Sequence, residues 1–151
     1  MILTTRNQAI LPPRHQDTKN VRTFVPIPED LDRLAQVVVD CAFKVHKALG
    51  PGLLESVYEV CLAHEITKSG FALERQVALP VVYDGVRLDA GLRLDILVES
   101  KLIVEVKAVE QMLRVFDAQL LSYLKLTGCR LGILINFNVP VIREGIKRIA
   151  L

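Results

Sequence analysis

Residues 92–108, LRLDILVESKLIVEVKA, place Asp95, Glu105 and Lys107 inside two apolar, β-branched runs that read as a buried hairpin. Burying an unpartnered charge is expensive, so a chain that keeps three of them in one hairpin must satisfy them together. Strand side chains alternate faces, which puts Glu105 and Lys107 on one face and Val104 and Val106 on the other. Asp95 shares its face with Arg93 and Leu97 by the same rule. A three-residue loop, Glu99-Ser100-Lys101, sets Asp95 opposite Glu105 and Arg93 opposite Lys107. A two-residue loop sends the two acids to opposite faces unless a bulge intervenes.

Two like charges ~5 Å apart across a strand pair repel, and a divalent cation between them reverses that sign. Mg²⁺, or Mn²⁺ in its place, accepts one or two carboxylates and keeps waters for the substrate side. Lys107 lies about 7 Å further along the face, where an ammonium can hold an attacking water or offset charge on a phosphoryl oxygen. The competing account is a solvated strand with a neighbouring Glu105–Lys107 pair. Alone, the spacing does not separate the two.

The rest of the chain supplies the frame. Pro28-Glu29-Asp30 starts a helix, and Leu31, Leu34, Val38, Cys41, Ala42, Val45 and Leu49 extend it over residues 29–49. Gly50-Pro51-Gly52 ends it. LLESVYEVCLAHEITKS makes a second helix, stopped by Gly70. LERQVALPVVY and VRLDAG flank Asp84-Gly85, a type I′ hairpin signal. After the charged hairpin, a third helix covers about residues 111–127, with Met112, Val115, Phe116, Leu120, Tyr123, Leu124 and Thr127 near one side. LGILINFN reads as a strand covered on both faces, and VIREGIKRIAL as a short helix or an edge strand. The order α, α, several β, α, β predicts an α/β or α+β domain, a central mixed sheet flanked by helices.

Residues 1–28 carry Pro12, Pro13 and Pro26 with little periodicity and read as a flexible arm ahead of a single domain at 29–151. That arm has four Lys/Arg against one Asp, while residues 29–151 have fifteen against sixteen Asp/Glu. The body therefore lacks the footprint of a tight, non-specific DNA binder. Cys41, Cys61 and Cys129 form no CxxC pair, and Lys68 occupies the position where HExxH needs its second histidine, so a zinc site is unsupported. With neither a secretory leader nor a membrane-spanning run, the expected location is cytoplasmic.

Asp95 followed by Glu105-Val106-Lys107 is similar to the D…(D/E)xK signature of the PD-(D/E)XK nuclease superfamily. Gln119-Leu-Leu-Ser-Tyr123 resembles the QxxxY motif of its RecB-like members. Gly52-Leu-Leu-Glu55-Ser-Val-Tyr58 looks like the motif of the small GxxExxY family, and the resemblance runs over about residues 36–151. Leu92 departs from it, standing where that family has an aromatic.

The resemblance implies a metal-dependent nuclease acting on nucleic acid, DNA favoured. It implies that Asp95, Glu105 and the Val106 carbonyl, assisted by Glu55, hold Mg²⁺ or Mn²⁺, and that Lys107 positions water. Tyr58, Gln119 and Tyr123 are implied to support the site or substrate. Arg75 and Arg93 are further candidates for contacting phosphates, with surface pairing to acids the favoured use of each arginine. A non-catalytic binding or regulatory module on the same scaffold stands as the alternative. A homo-oligomer that completes the groove is a further option, since a compact core offers little surface for a duplex.

Overall fold

The computed structural model describes residues 24–151. Most of the expected arm, residues 1–23, lies outside them. Its last part does not hang free: the Arg130 guanidinium donates to the carbonyls of Val25 (2.6 Å) and Pro26 (3.0 Å).

Helix α1 spans Glu29–Leu49, with Glu29, Asp30 and Asp32 in the first turn against the positive end of the dipole. Its buried stripe, Leu31, Leu34, Ala35, Val38, Cys41, Ala42 and Val45, follows the predicted spacing, except that Ala35 joins it and Leu49, at the helix end, is exposed. Helix α2 is Glu55–Lys68. Strand β1 is Leu73–Ala78, β2 Val81–Tyr83, β3 Val86–Leu88, β4 Arg93–Val98 and β5 Leu102–Lys107. Helix α3 (Arg114–Thr127) links β5 to β6 (Leu131–Asn136), and a 3₁₀ turn at Ile142–Gly145 leads into β7 (Ile146–Ala150).

Five strands form one sheet in the order β1-β4-β5-β6-β7. Only β5–β6 is parallel, joined by the α3 crossover, so the sheet is mixed as expected. Helices α1 and α2 cover one face, over Ile96, Val98, Val104, Val106, Ile133 and Ile135. Helix α3 covers the other, over Leu94, Ile103 and Leu134. Every residue of β6 is buried, as a strand sandwiched between helices requires.

Three expectations are revised. LERQVALPVVY is two strands, broken at Leu79-Pro80 because proline brings no N–H to a ladder. Beyond the break, β2 and β3 pair with each other as a separate two-stranded sheet, turning through Asp84 and Gly85 at φ 49° and 72°. Helix α3 starts at Arg114 rather than near residue 111. Asn136 Oδ1 accepts from Val109 N–H at 3.1 Å and its Nδ2 donates to Val109 O at 3.0 Å, which commits that segment to a clamped loop. Val115, placed on the buried side of α3 by its spacing, is 61% exposed.

Two glycines mark where backbones close on each other. A Cβ on Gly145 would sit 2.1 Å from the Asn136 carbonyl oxygen, whereas one on Gly132 would meet only the Leu120 side chain, at 2.7 Å. Rigid backbone yields less than a leucine tip. Gly145→Ala should therefore cost toward ~3 kcal/mol and Gly132→Ala nearer ~1 kcal/mol, read as urea midpoints at unchanged m. A reversed order would contradict this packing.

Candidate active site at a fork between two strands

The β4–β5 pairing follows the register of the three-residue loop: Val98 faces Leu102, Leu97 faces Ile103 and Ile96 faces Val104. Glu99 and Ser100 hold φ 51° and 55°, and Lys101 N–H donates to Val98 O at 3.0 Å, so the tip closes as a tight turn. Continued one step, the register sets Asp95 against Glu105. There the regular ladder stops and the strands fork.

Side chains replace the backbone bonds at the fork. Asp95 N–H donates to Glu105 Oε1 at 3.1 Å, and Val106 N–H donates to Asp95 Oδ2 at 2.8 Å. Each carboxylate thus braces the opposite strand with one oxygen, and the two carboxyls also hydrogen-bond each other. The alternation of β4 also changes at Asp95. Ile96 packs toward α1 and α2 while Leu94 packs toward α3. The simple alternation that put Arg93, Asp95 and Leu97 on one face does not hold through this point.

Burial and mutual repulsion govern the pair. Glu105 is only 4% exposed, and its carboxyl is pushed up to about 9, by burial first and by the Asp95 charge second. Asp95 is raised by burial, against the lowering effect of the Val106 N–H, with the Glu59 charge adding to the rise. Two acids in this position retain a proton between them unless a cation takes its place.

Neighbouring elements bring the other expected residues to the same fork. Glu55, the first residue of α2, lies near Lys107 and the Ala108 N–H; burial leads its upward shift, with Asp95 and Glu59 adding and Lys107 opposing. Lys107 Nζ lies 4.7 Å from the centroid of the Phe116 ring on α3. Tyr123 and Gln119 approach from α3, and the phenol is raised by burial and by the charges of Glu105 and Asp95. Helices on both faces therefore reach one gap in the sheet.

Three expected residues are engaged within the fold. Tyr58 is fully buried, stacks on Phe137 at 4.7 Å, donates to Gly50 O at 2.6 Å and accepts from Leu53 N–H at 3.1 Å. It supports the site by holding the loop before α2 and leaves no surface for substrate. Arg75 ion-pairs with Glu59 at 2.6 Å, and Arg93 donates to Gln76 O at 3.2 Å. Two buried polar residues escaped the sequence reading, Glu59 and Asn136. Glu59 falls one helical turn beyond Glu55, a spacing that pointed to it. Asn136, at the end of an apolar strand, gave no such signal.

A mixed sheet that parts two strands over an acid pair, with an amine alongside and helices on both faces, defines an α/β protein that gathers polar groups at a strand fork. A family model described as the PD-(D/E)XK nuclease superfamily matches residues 32–149. The chain belongs to that superfamily. No curated protein and no solved structure gives a significant match.

Members of this superfamily generally depend on a divalent metal. Among the described residues no group of three or more His, Cys, Asp or Glu side chains is arranged to hold a metal ion. The donors present are the two carboxylates of Asp95 and Glu105, with Glu55 beside them. That set fits a hard ion that keeps most of its waters, and does not fit zinc.

The acid pair sets a pH dependence. Glu105 holds its proton to about 9 when folded but releases it near 4.5 when unfolded, so between these values the fold binds more protons than the unfolded chain. Stability is present in full below the lower value and is lost as pH rises through the upper one. In EDTA, Glu105→Gln should gain on the native protein as pH rises from 5 to 9, reaching roughly 4–8 °C in Tm. A Tm difference that stays flat across that range would contradict the pairing.

Proposed function

We propose that this protein is a Mg²⁺- or Mn²⁺-dependent nuclease of the RecB-like, GxxExxY type, hydrolysing phosphodiester bonds in DNA. The observation that carries the reading is the fork itself, where Asp95 and Glu105 are each braced by an N–H of the facing strand. Cross-bracing fixes both carboxylates side by side, which is the costly part of building a cation site. Their raised carboxyls are what an ion-free pair of this kind should show.

A divalent ion held by Asp95, Glu105 and the Val106 carbonyl, with Glu55 assisting, would supply Lewis acidity and lower the pKa of a water. The chain's own groups do the remaining work. Lys107 directs its ammonium into the same gap, restrained by the Phe116 ring, and there holds the attacking water or offsets charge on a phosphoryl oxygen. Gln119 and Tyr123 present an amide and a phenol for a phosphate or for orienting Lys107. Burial of Glu105 and Val106 keeps bulk water from competing for these contacts.

The competing reading, a non-catalytic module on this scaffold, draws support from the near-neutral charge of residues 29–151, which offers little general attraction to nucleic acid. Among the described residues no helix is long and apolar enough to cross a membrane.

Purified protein incubated with single- and double-stranded DNA and RNA should cleave DNA with Mg²⁺ or Mn²⁺ and not with EDTA. Asp95→Ala and Lys107→Ala should each lower the rate by ~10²-fold or more, the scale expected for a group acting on the reacting centre. Cleavage that survives EDTA and both substitutions would sink the assignment. Binding without cleavage in every metal would favour the non-catalytic module.

A further inference from the structure

Glu59 is a carboxylate 5% exposed on α2, outside the set of residues assigned to the site. Two neighbours on β1 hold it: Arg75 donates to Oε2 at 2.6 Å and Gln76 donates to Oε1 at 2.6 Å. Adjacent residues of a regular strand point to opposite faces, so Arg75 and Gln76 ordinarily cannot both reach one group on one helix. They do so because Gln76 takes φ +52°, a left-handed conformation that a non-glycine residue adopts only when its surroundings impose it.

The consequence passes to Asp95. In the β1–β4 pairing Arg75 faces Ile96 and Val77 faces Leu94, which leaves Gln76 level with Asp95 as the one step without a regular pair between them. Both strands change face at this level. On β1, Leu73 packs toward α1 and α2 but Val77 toward α3; on β4, Ile96 and Leu94 do the same. Gln76 and Asp95 are the two pivots of one kink. Turning at that pivot sends the Asp95 carboxylate sideways into the fork, where it meets Val106 N–H.

We infer that Glu59 is the positioning residue of the site: by clamping Arg75 and Gln76 to one face, it holds the kink that aims Asp95 at the β4–β5 fork. The assignment of a role to that aim rests on the nuclease reading; the clamp itself does not. Arg75 accordingly serves the site from behind, as the counter-ion of the clamp.

The test reads the clamp without metal or substrate. Amide hydrogen exchange of the metal-free protein should show Glu59→Ala accelerating Val106 N–H and Asp95 N–H by about tenfold or more, with Ile103 and Ile133 in the intact ladder unchanged. Glu59→Gln, which keeps the volume and one acceptor but loses the charge opposite Arg75, should give a smaller increase at the same two amides and covers the case in which the alanine variant fails to fold. Adding Gln76→Gly to Glu59→Ala should restore protection, because glycine takes the positive φ without a clamp. Protection at Val106 and Asp95 that is untouched in both Glu59 variants, or lost in proportion to the whole sheet, overturns the inference. Mn²⁺ affinity measured on the same samples separates the two ideas. Native protein that binds no Mn²⁺ sinks the nuclease reading while the exchange pattern still decides the clamp, and an aimed Asp95 predicts weaker Mn²⁺ binding in Glu59→Ala, by about 10–100-fold.

Discussion

Two hydrogen bonds at the point where β4 and β5 separate organise the molecule. A β-ladder that ends inside a protein leaves backbone donors to be satisfied, and an unpaired buried N–H costs about as much as a lost hydrogen bond. Here the donors of Asp95 and Val106 are met by Glu105 and Asp95 side chains at 3.1 and 2.8 Å. The acids are thus required twice, as caps for an opened ladder and as a charged pair. Replacing either by an apolar residue would leave both a bare amide and an unanswered partner.

That double duty carries an electrostatic tension which the fold answers by arrangement. Glu105 lies in β5 between Val104 and Val106, both fully buried, so its carboxyl meets little solvent and keeps its proton. Lys107 relieves the pair by lowering both Glu105 and Asp95, while Glu59 on α2 raises Asp95 further and the acids in turn raise Glu55 and Tyr123. With Glu59 answered by Arg75 and Glu105 holding its proton, Asp95 and Glu55 share the Lys107 ammonium at the fork.

Much of this was legible in the sequence, and the parts that were not share a cause. The hairpin register followed from Glu99-Ser100-Lys101, because a strand period of two leaves few ways to put Asp95 and Glu105 together. The boundaries of α1 followed from Pro28, the first-turn acids and Gly50. What escaped was set by tertiary contacts. The late start of α3 depends on Asn136, 27 residues from the loop it clamps. The kink at Gln76 depends on Glu59, 17 residues away on a helix, and nothing local to LERQVA requests a left-handed residue. Pairing with an acid was the favoured use of Arg75, and the structure supplies the acid, Glu59, which nothing local to the strand names.

The Gly52, Glu55, Tyr58 spacing acquires a physical reason from the same geometry. Gly52 takes φ +101° in the turn between α1 and α2, and Glu55 opens α2 three residues on. Tyr58, one helical turn later, points its hydroxyl back to bond Gly50 O and Leu53 N–H, closing the loop on the helix that follows it. Its ring stacks on Phe137 with an interplanar angle of 5°, and Phe137 N–H donates to Lys107 O at 2.9 Å. Glu55 and Lys107 are therefore linked through one phenol, one stacked pair and one backbone bond, with both rings fully buried. A carboxylate at a helix start and an ammonium at a strand end are each mobile by themselves. Tied through Tyr58 and Phe137, their backbones hold a fixed separation, with the tyrosine as the brace between them.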